Sequence, residues 1–180
     1  METLVKPNNA LLETYRSNRK VTDVEFFKMV NSPFYFTMYK LTTLPMGFMA
    51  GLKVKSCNAE KCEITVPYRW LNQNPFKSTY FAVLAMAAEM STGMLSLMAT
   101  YKAKPSVSML VTHLEADFVK KATGITTFTC TQGNEIVKCV EDAIATGEPK
   151  IFNAVSTGTS QKGEEEARFI IQWSFKARLK

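Results

Sequence analysis

The chain has one histidine, His113, and its four cysteines, Cys57, Cys62, Cys130 and Cys139, include no Cys-x-x-Cys pair. Without clustered soft ligands no metal site is expected. The sequence also lacks a Gly-x-Ser-x-Gly elbow, so a Ser-His-Asp arrangement has no support and His113 reads as a structural or surface residue. Its amino-terminal stretch, METLVKPNNALLETYRSNRK, has no apolar run behind its positive charges and no small-residue cleavage signal. That argues against a secretory peptide and makes the cytoplasm, with reduced thiols, the expected location. Charge of one sign is not gathered anywhere: the net charge of +6 is spread along the chain, with 21% charged residues in all. Nucleic acid is therefore not indicated, whereas a mild positive field suits an anionic small molecule. No repeat or low-complexity tract interrupts the sequence.

What is present is apolar material. At 180 residues and 46% hydrophobic, the chain has the length of one ordinary domain and enough apolar side chains for a packed core. A single domain over 1–180 is expected, with a helical amino-terminal segment, 1–46, ahead of a core at 47–180. The longest apolar run, Ser78 to Thr100, is long enough to raise the question of a membrane span. Its one charge, Glu89, lies at the centre, where an ionised carboxylate would cost roughly 3 kcal/mol on insertion scales. The flanking segments have the alternation of strands, so a helix buried inside a soluble domain is preferred and no membrane is expected. Around Glu89 at helical spacing stand Ala82, Ala85, Met86, Thr92, Gly93 and Ser96, mostly small or hydroxylated, a stripe suited to close approach by a ligand. Two readings of Glu89 follow: a reactive acid with perturbed ionisation, or a packed residue paired with a Lys or Arg or set at a wet edge.

Ahead of this helix, Thr22-Asp23-Val24-Glu25 has the pattern of a capping box opening a short helix, and Pro33 opens a second whose aromatic residues are expected to cover the core. Gly51 to Cys57 and Lys61 to Pro67 read as a hairpin. After the long helix come strands at Val107 to Val119 and Ile125 to Thr131, a surface helix at Asn134 to Gly147, and strands at Ile151 to Thr159 and Gly163 to Arg178. In the last, Phe169, Ile171, Trp173 and Phe175 alternate with polar residues, an aromatic row that should pack on the long helix. The fold class is thus α+β, an antiparallel sheet of about six strands around one long central helix, with extra amino-terminal helices.

A set of local motifs appears in this order: Leu44-Pro45-Met46 leading into Ala50-Gly51-Leu52-Lys53-Val54, then Val66-Pro67, Asn72-Gln73-Asn74-Pro75, Ala88-Glu89 in the long helix, and Phe118-Val119-Lys120-Lys121-Ala122-Thr123-Gly124. Together they resemble the hotdog superfamily over roughly residues 40 to 178, and within it a thioesterase-like, DUF4442-like branch with a helix between its fourth and fifth strands. The resemblance implies a homodimer at least, with a tetramer as the larger alternative. It also implies sheets joined edge to edge, two acyl-CoA sites at the interface beside the helix amino ends, and no cofactor.

By that resemblance Glu89 holds the place of the helix carboxylate that attacks the thioester carbonyl or activates water. Asn74, with Gln73 as the neighbouring candidate, holds the place of the amide that orients water or carbonyl, and the Phe81 and Ala82 N–H groups that of the oxyanion donors. Active relatives often carry His-Gly-Gly or His-Phe-Gly-Gly where this chain has Thr79-Tyr80-Phe81-Ala82. The backbone donors survive that change, but the Phe81 ring narrows the approach and Tyr80 replaces the histidine only in part. Thr92 and Ser108 are further polar candidates, and Lys120, Lys121 and Arg178 could meet CoA phosphates; local backbone bonding or solvated strand ends explain these residues as well. Trp70 is expected to cover the core edge. The function expected is acyl-CoA thioester hydrolysis, the alternative a non-catalytic module that binds an acyl or CoA thioester.

Overall fold

The computed structural model of the chain describes residues 8–178; residues 1–7, part of the stretch read as lacking a leader, lie outside them. Helix α1 spans Asn9–Val30, and the Asn8 side chain accepts from the Leu11 N–H at 3.4 Å. The expected helix start at Thr22 is therefore corrected. Thr22 Oγ1 donates to the Asn18 carbonyl at 3.4 Å inside the helix, and Asp23 pairs back with Arg19 at 2.6 Å. Leu11, Tyr15, Thr22, Phe26 and Val30 form one inward row, which the polar spacers between them disguise in the sequence.

Helix α2, Pro33–Thr43, starts at its proline as expected. Of its aromatic residues only Phe36 and, in part, Tyr39 turn inward; Phe34 and Tyr35 are 70% and 63% exposed, against the expectation of core cover. One turn of helix, α3 at Pro45–Met49, precedes Gly51, whose φ of 74° reverses the chain. A Cβ at Gly51 would stand 2.8 Å from the Arg69 guanidinium, which donates to the Met49 carbonyl, so β1 begins only at Lys53.

Strands β1 (Lys53–Cys57) and β2 (Cys62–Pro67) form the expected hairpin, its turn held by Asn58 Oδ1 accepting from the Glu60 and Lys61 N–H groups at 2.9 and 2.8 Å. A turn of 3-10 helix follows at Trp70–Asn72. There Trp70 is 79% exposed, which corrects its assignment as core cover; the buried residue of the turn is Asn72, whose Nδ2 donates to the Ala50 and Pro67 carbonyls at 2.8 and 2.7 Å.

The rest follows the sequence pattern closely: α4 at Phe81–Thr100, β3 at Val107–Phe118, β4 at Ile125–Cys130, α5 at Gly133–Thr146, β5 at Lys150–Thr159 and β6 at Glu165–Ala177. The six strands form one antiparallel sheet in the order β1-β2-β4-β5-β6-β3. Helices α4 and α5 lie on one face, and α1 packs across both. Two-thirds of the apolar window of α4 (67%) is buried in this layer, so its membrane-like composition serves a protein core. Phe169, Ile171, Trp173 and Phe175 of β6 are all buried, and the Trp173 indole N–H donates to Thr92 Oγ1 of α4 at 3.0 Å. The opposite face carries half-buried and exposed polar side chains such as Thr65, Thr129, Asn153, Thr157 and Gln172. Edge strand β3 pairs only with β6 among the described residues and leaves Leu110, Leu114 and Phe118 exposed.

Candidate active site

Helix α4 has no side-chain cap. Tyr80 is its N-cap, and the Val83 and Leu84 N–H groups return to the Tyr80 carbonyl at 2.9 and 3.3 Å. The Phe81 and Ala82 N–H groups have no partner among the described residues, so the helix presents two free donors at the positive end of its dipole. The preceding loop is tied together by the side chain of Asn74. Asn74 Oδ1 accepts from the Phe76 N–H, the Ser78 N–H and the Ser78 hydroxyl at 3.0, 3.2 and 3.2 Å, and Asn74 Nδ2 donates to the Thr79 carbonyl at 3.4 Å. Thr79 N–H is tied to the Ala122 carbonyl at 2.8 Å, while its buried hydroxyl has no partner among the described residues.

A cavity of about 570 Å³ lies at this helix start. It brings together six of the residues singled out in the sequence: Asn74, Thr79, Tyr80, Phe81, Lys120 and Lys121. Among its other lining residues, Phe118, Val119 and Ala122 were legible only as members of the strand-end motif. The Phe81 ring, 55% exposed, stands edge-on to Tyr80 at 4.9 Å and to Phe118 at 6.3 Å, walling the cavity with aromatic surface. Both lysines are engaged at its mouth, Lys120 with Glu164 at 2.8 Å and Lys121 with the Phe76 carbonyl at 3.3 Å.

Gln73, Ala82, Glu89, Thr92 and Ser108 do not line that cavity. Gln73 is exposed and bridges to Thr79. Ser108 donates to the Lys176 carbonyl at 3.2 Å, ten residues along β3 from Phe118 and hence about 33 Å away. Arg178 is at that same far end, its N–H donating to the Ser106 carbonyl at 2.8 Å. Thr92 is buried, accepting from Trp173 and donating to the Glu89 carbonyl at 3.1 Å, so its hydroxyl is committed to structure.

Glu89 sits eight residues into α4, about 12 Å along the axis from the free amides of the first turn. Ala82, Ala85, Met86 and Glu89 are the half-buried residues of this half of α4, an open stripe, whereas Thr92, Gly93 and Ser96 further on are closed over. The carboxylate has neither a hydrogen bond nor an ion pair among the described residues, and burial raises its pKa above the usual carboxylate range. On one side is Gly93, where an added Cβ would stand 3.1 Å from Glu89 Oε1 and 3.3 Å from Trp173 Cζ2. Also near it is Tyr39 of α2, whose phenol is pushed up by its own burial and by the Glu89 charge. No spacing in the sequence could have paired Tyr39 with Glu89, because only tertiary packing of α2 brings them close. Glu89 is thus a carboxylate held in an apolar, partly open setting, near a phenol and with no neutralising cation among the described residues.

A sheet of six antiparallel strands curled around one long apolar helix is the hotdog fold. The chain belongs to the family described as Domain of unknown function (DUF4442), whose profile matches residues 35–174. It is similar in structure to a Pseudomonas aeruginosa protein of unknown function designated a probable thioesterase, at 16% identity, covering 82% of this chain and 97% of that one with a TM-score of 0.68. A Chlorobaculum tepidum protein of unknown function aligns at 15% identity over 94% of this chain and 100% of that one, TM-score 0.66. A Haemophilus influenzae thioesterase aligns at 13% identity over 79% and 90%, TM-score 0.57. No curated protein matches the chain. At these identities the likeness establishes the fold.

Proposed function

We propose that the protein hydrolyses acyl-CoA thioesters with Glu89 as general base. The observation that carries this reading is the Glu89 carboxylate itself, partly buried, unpaired among the described residues and raised in pKa on the open stripe of α4. In the reaction Glu89 takes a proton from water as the hydroxyl oxygen bonds to the thioester carbonyl carbon. The C–S bond then breaks, the proton passes to the departing CoA thiolate, and the acyl group leaves as a carboxylic acid. The oxyanion formed on the way is met by N–H donors such as those of Phe81 and Ala82.

Those donors and Glu89 are about 12 Å apart along one helix, too far to touch one carbonyl group. We therefore infer a homodimer in which the free edge of β3 meets its own copy, so that each site takes its donors from one chain and its base from the other. In that assembly the cavity at Asn74 to Phe81 holds the thioester arm, with Lys120 and Lys121 near the CoA phosphates.

A second reading, binding without turnover, is favoured by the Phe81 ring over the helix start and by the full use of Asn74 within its own loop. Assays with short, medium, long and aryl acyl-CoAs separate the two. Turnover abolished in Glu89→Ala supports hydrolysis; no turnover above that variant with any substrate, combined with a raised melting temperature on ligand addition, supports binding alone.

A further inference from the structure

A second cavity, of about 540 Å³, opens between α2, α3 and β1 and shares no lining residue with the one at the start of α4. Its walls are mostly apolar, built from Val30, Phe36, Phe48, Leu52 and Val54, with Asn31, Thr37, Lys40 and Lys53 as the polar lining; of the two lysines only Lys40 is buried. Lys40 is only 6% exposed. Its ammonium donates one hydrogen bond to the Leu52 carbonyl at 2.5 Å and stands 5.4 and 6.0 Å from the ring centroids of Phe36 and Phe48. Lys53 lines the β1 side of the same cavity and is exposed. No carboxylate pairs with either lysine among the described residues.

An ammonium buried without a counter-ion is an expensive arrangement, and ring faces and one carbonyl offset only part of the lost hydration. Burial, and next the charge of Lys53, lower the Lys40 pKa. An anion in the cavity would oppose both effects. The ammonium has further N–H donors to offer, and Thr37 on the preceding turn of α2 also lines the space. A cavity of this size with apolar walls and one buried charge suits a small amphipathic ligand. One buried ammonium balances one negative charge; neither an arginine nor a second buried cation lines the cavity to meet a phosphate dianion.

We propose that this cavity binds an apolar monocarboxylate such as a medium-chain fatty acid, with the carboxylate on Lys40 and Lys53 and the chain along Val30, Phe36 and Leu52. The inference does not rest on thioester hydrolysis, because the site shares no residue with Glu89 or the helix start.

The test is titration of the full chain with decanoate, decanol and decyl phosphate, followed by calorimetry and by amide chemical shifts. Decanoate should bind at least about tenfold more tightly than decanol or decyl phosphate and should shift the amides of Phe36, Lys40, Leu52 and Lys53. Lys40→Met keeps an unbranched apolar stem, removes the charge, and should weaken decanoate by at least about tenfold. Lys53→Met, at an exposed position, should weaken it by about twofold to fivefold. Equal binding of decanoate and decanol overturns the proposal, as does decanoate that shifts the Asn74 to Phe81 loop instead of α2. Should Lys40→Met fail to fold, the comparison of the three probes on the unaltered protein still decides.

Discussion

Glu89 and Gly93 stand one turn apart on α4 so closely that a methyl group on the glycine would lie 3.1 Å from the glutamate's Oε1. The same methyl would press on the rigid Trp173 ring at 3.3 Å, so the flexible carboxylate is the group that yields. Gly93→Ala gains roughly 1 kcal/mol of helix propensity and loses a similar amount to overpacking. The expected outcome is a denaturation midpoint close to that of the native protein, together with a fall in kcat/KM of about tenfold from the displaced base. A loss of stability with unchanged kcat/KM would detach the carboxylate's position from catalysis.

Burial disfavours the charged form of Glu89, which fixes the sign of two pH effects. In the proposed reaction the base works deprotonated, so the acid limb of the rate profile should lie above the ordinary carboxylate range, and Glu89→Gln should lose about 10²–10⁴-fold in kcat and flatten that limb. Because its folded pKa is above the unfolded one, the stability this group supplies is complete below the unfolded pKa and is lost as pH rises through the folded value. Glu89→Gln should therefore match the native melting temperature in acid and exceed it at neutral pH. An ion-paired structural glutamate would give the opposite ordering.

Thr92 is the only hydrogen-bond partner of the Trp173 indole N–H among the described residues, at 3.0 Å. Thr92→Val keeps the shape and leaves that buried donor unpaired, at a cost of about 1–3 kcal/mol. Urea denaturation measures the loss. If stability were unchanged, the aromatic row of β6 would not be locked to α4 by this bond.

The two ends of the chain were legible to different degrees for physical reasons. In β6 the period of two places Phe169, Ile171, Trp173 and Phe175 on one face, and only a sheet over a core produces that pattern. In α1 the inward row is diluted by Arg16, which pairs with Glu141 of α5, and by Arg19 and Asp23, which pair with each other one turn apart, and a capping-box string within the helix mimics a start. At the site, the helix start and Glu89 could be read from the apolar run, whereas the engagement of Asn74 with its own loop depends on side-chain hydrogen bonds that no spacing encodes. Lys40 was equally hidden, since a lysine among aromatic residues on a short helix reads as surface until tertiary packing buries it.

Tyr15 supplies a measure of how firmly α1 belongs to the core. Its phenol is fully buried and donates to the Ala99 carbonyl at 2.8 Å, an acceptor in the last turn of α4 that has no helical partner. Tyr15→Phe should cost about 1–3 kcal/mol and make α1 amides exchange with solvent faster than those of β6. Hydrogen exchange that leaves α1 as protected as before would mean that apolar burial alone holds the helix.

The proposed dimer has its own test at the edge of β3. Leu110, Leu114 and Phe118 are exposed on a twelve-residue strand whose outer edge has no partner among the described residues. A long, apolar edge is a liability unless something covers it, and antiparallel pairing with a second copy would both satisfy its backbone groups and bury these side chains. Leu114→Lys would bring two like charges together near the symmetry axis of such a pair. Light scattering at micromolar concentration should then change from a dimer mass for the native chain to a monomer mass for the variant, while circular dichroism stays unchanged. If each active site draws its oxyanion donors and its base from different chains, acyl-CoA turnover should fall with the dimer fraction and return as the variant is concentrated. A monomeric variant with full activity would place the whole site within one chain, and Glu89, about 12 Å from the helix start, could not then be its base.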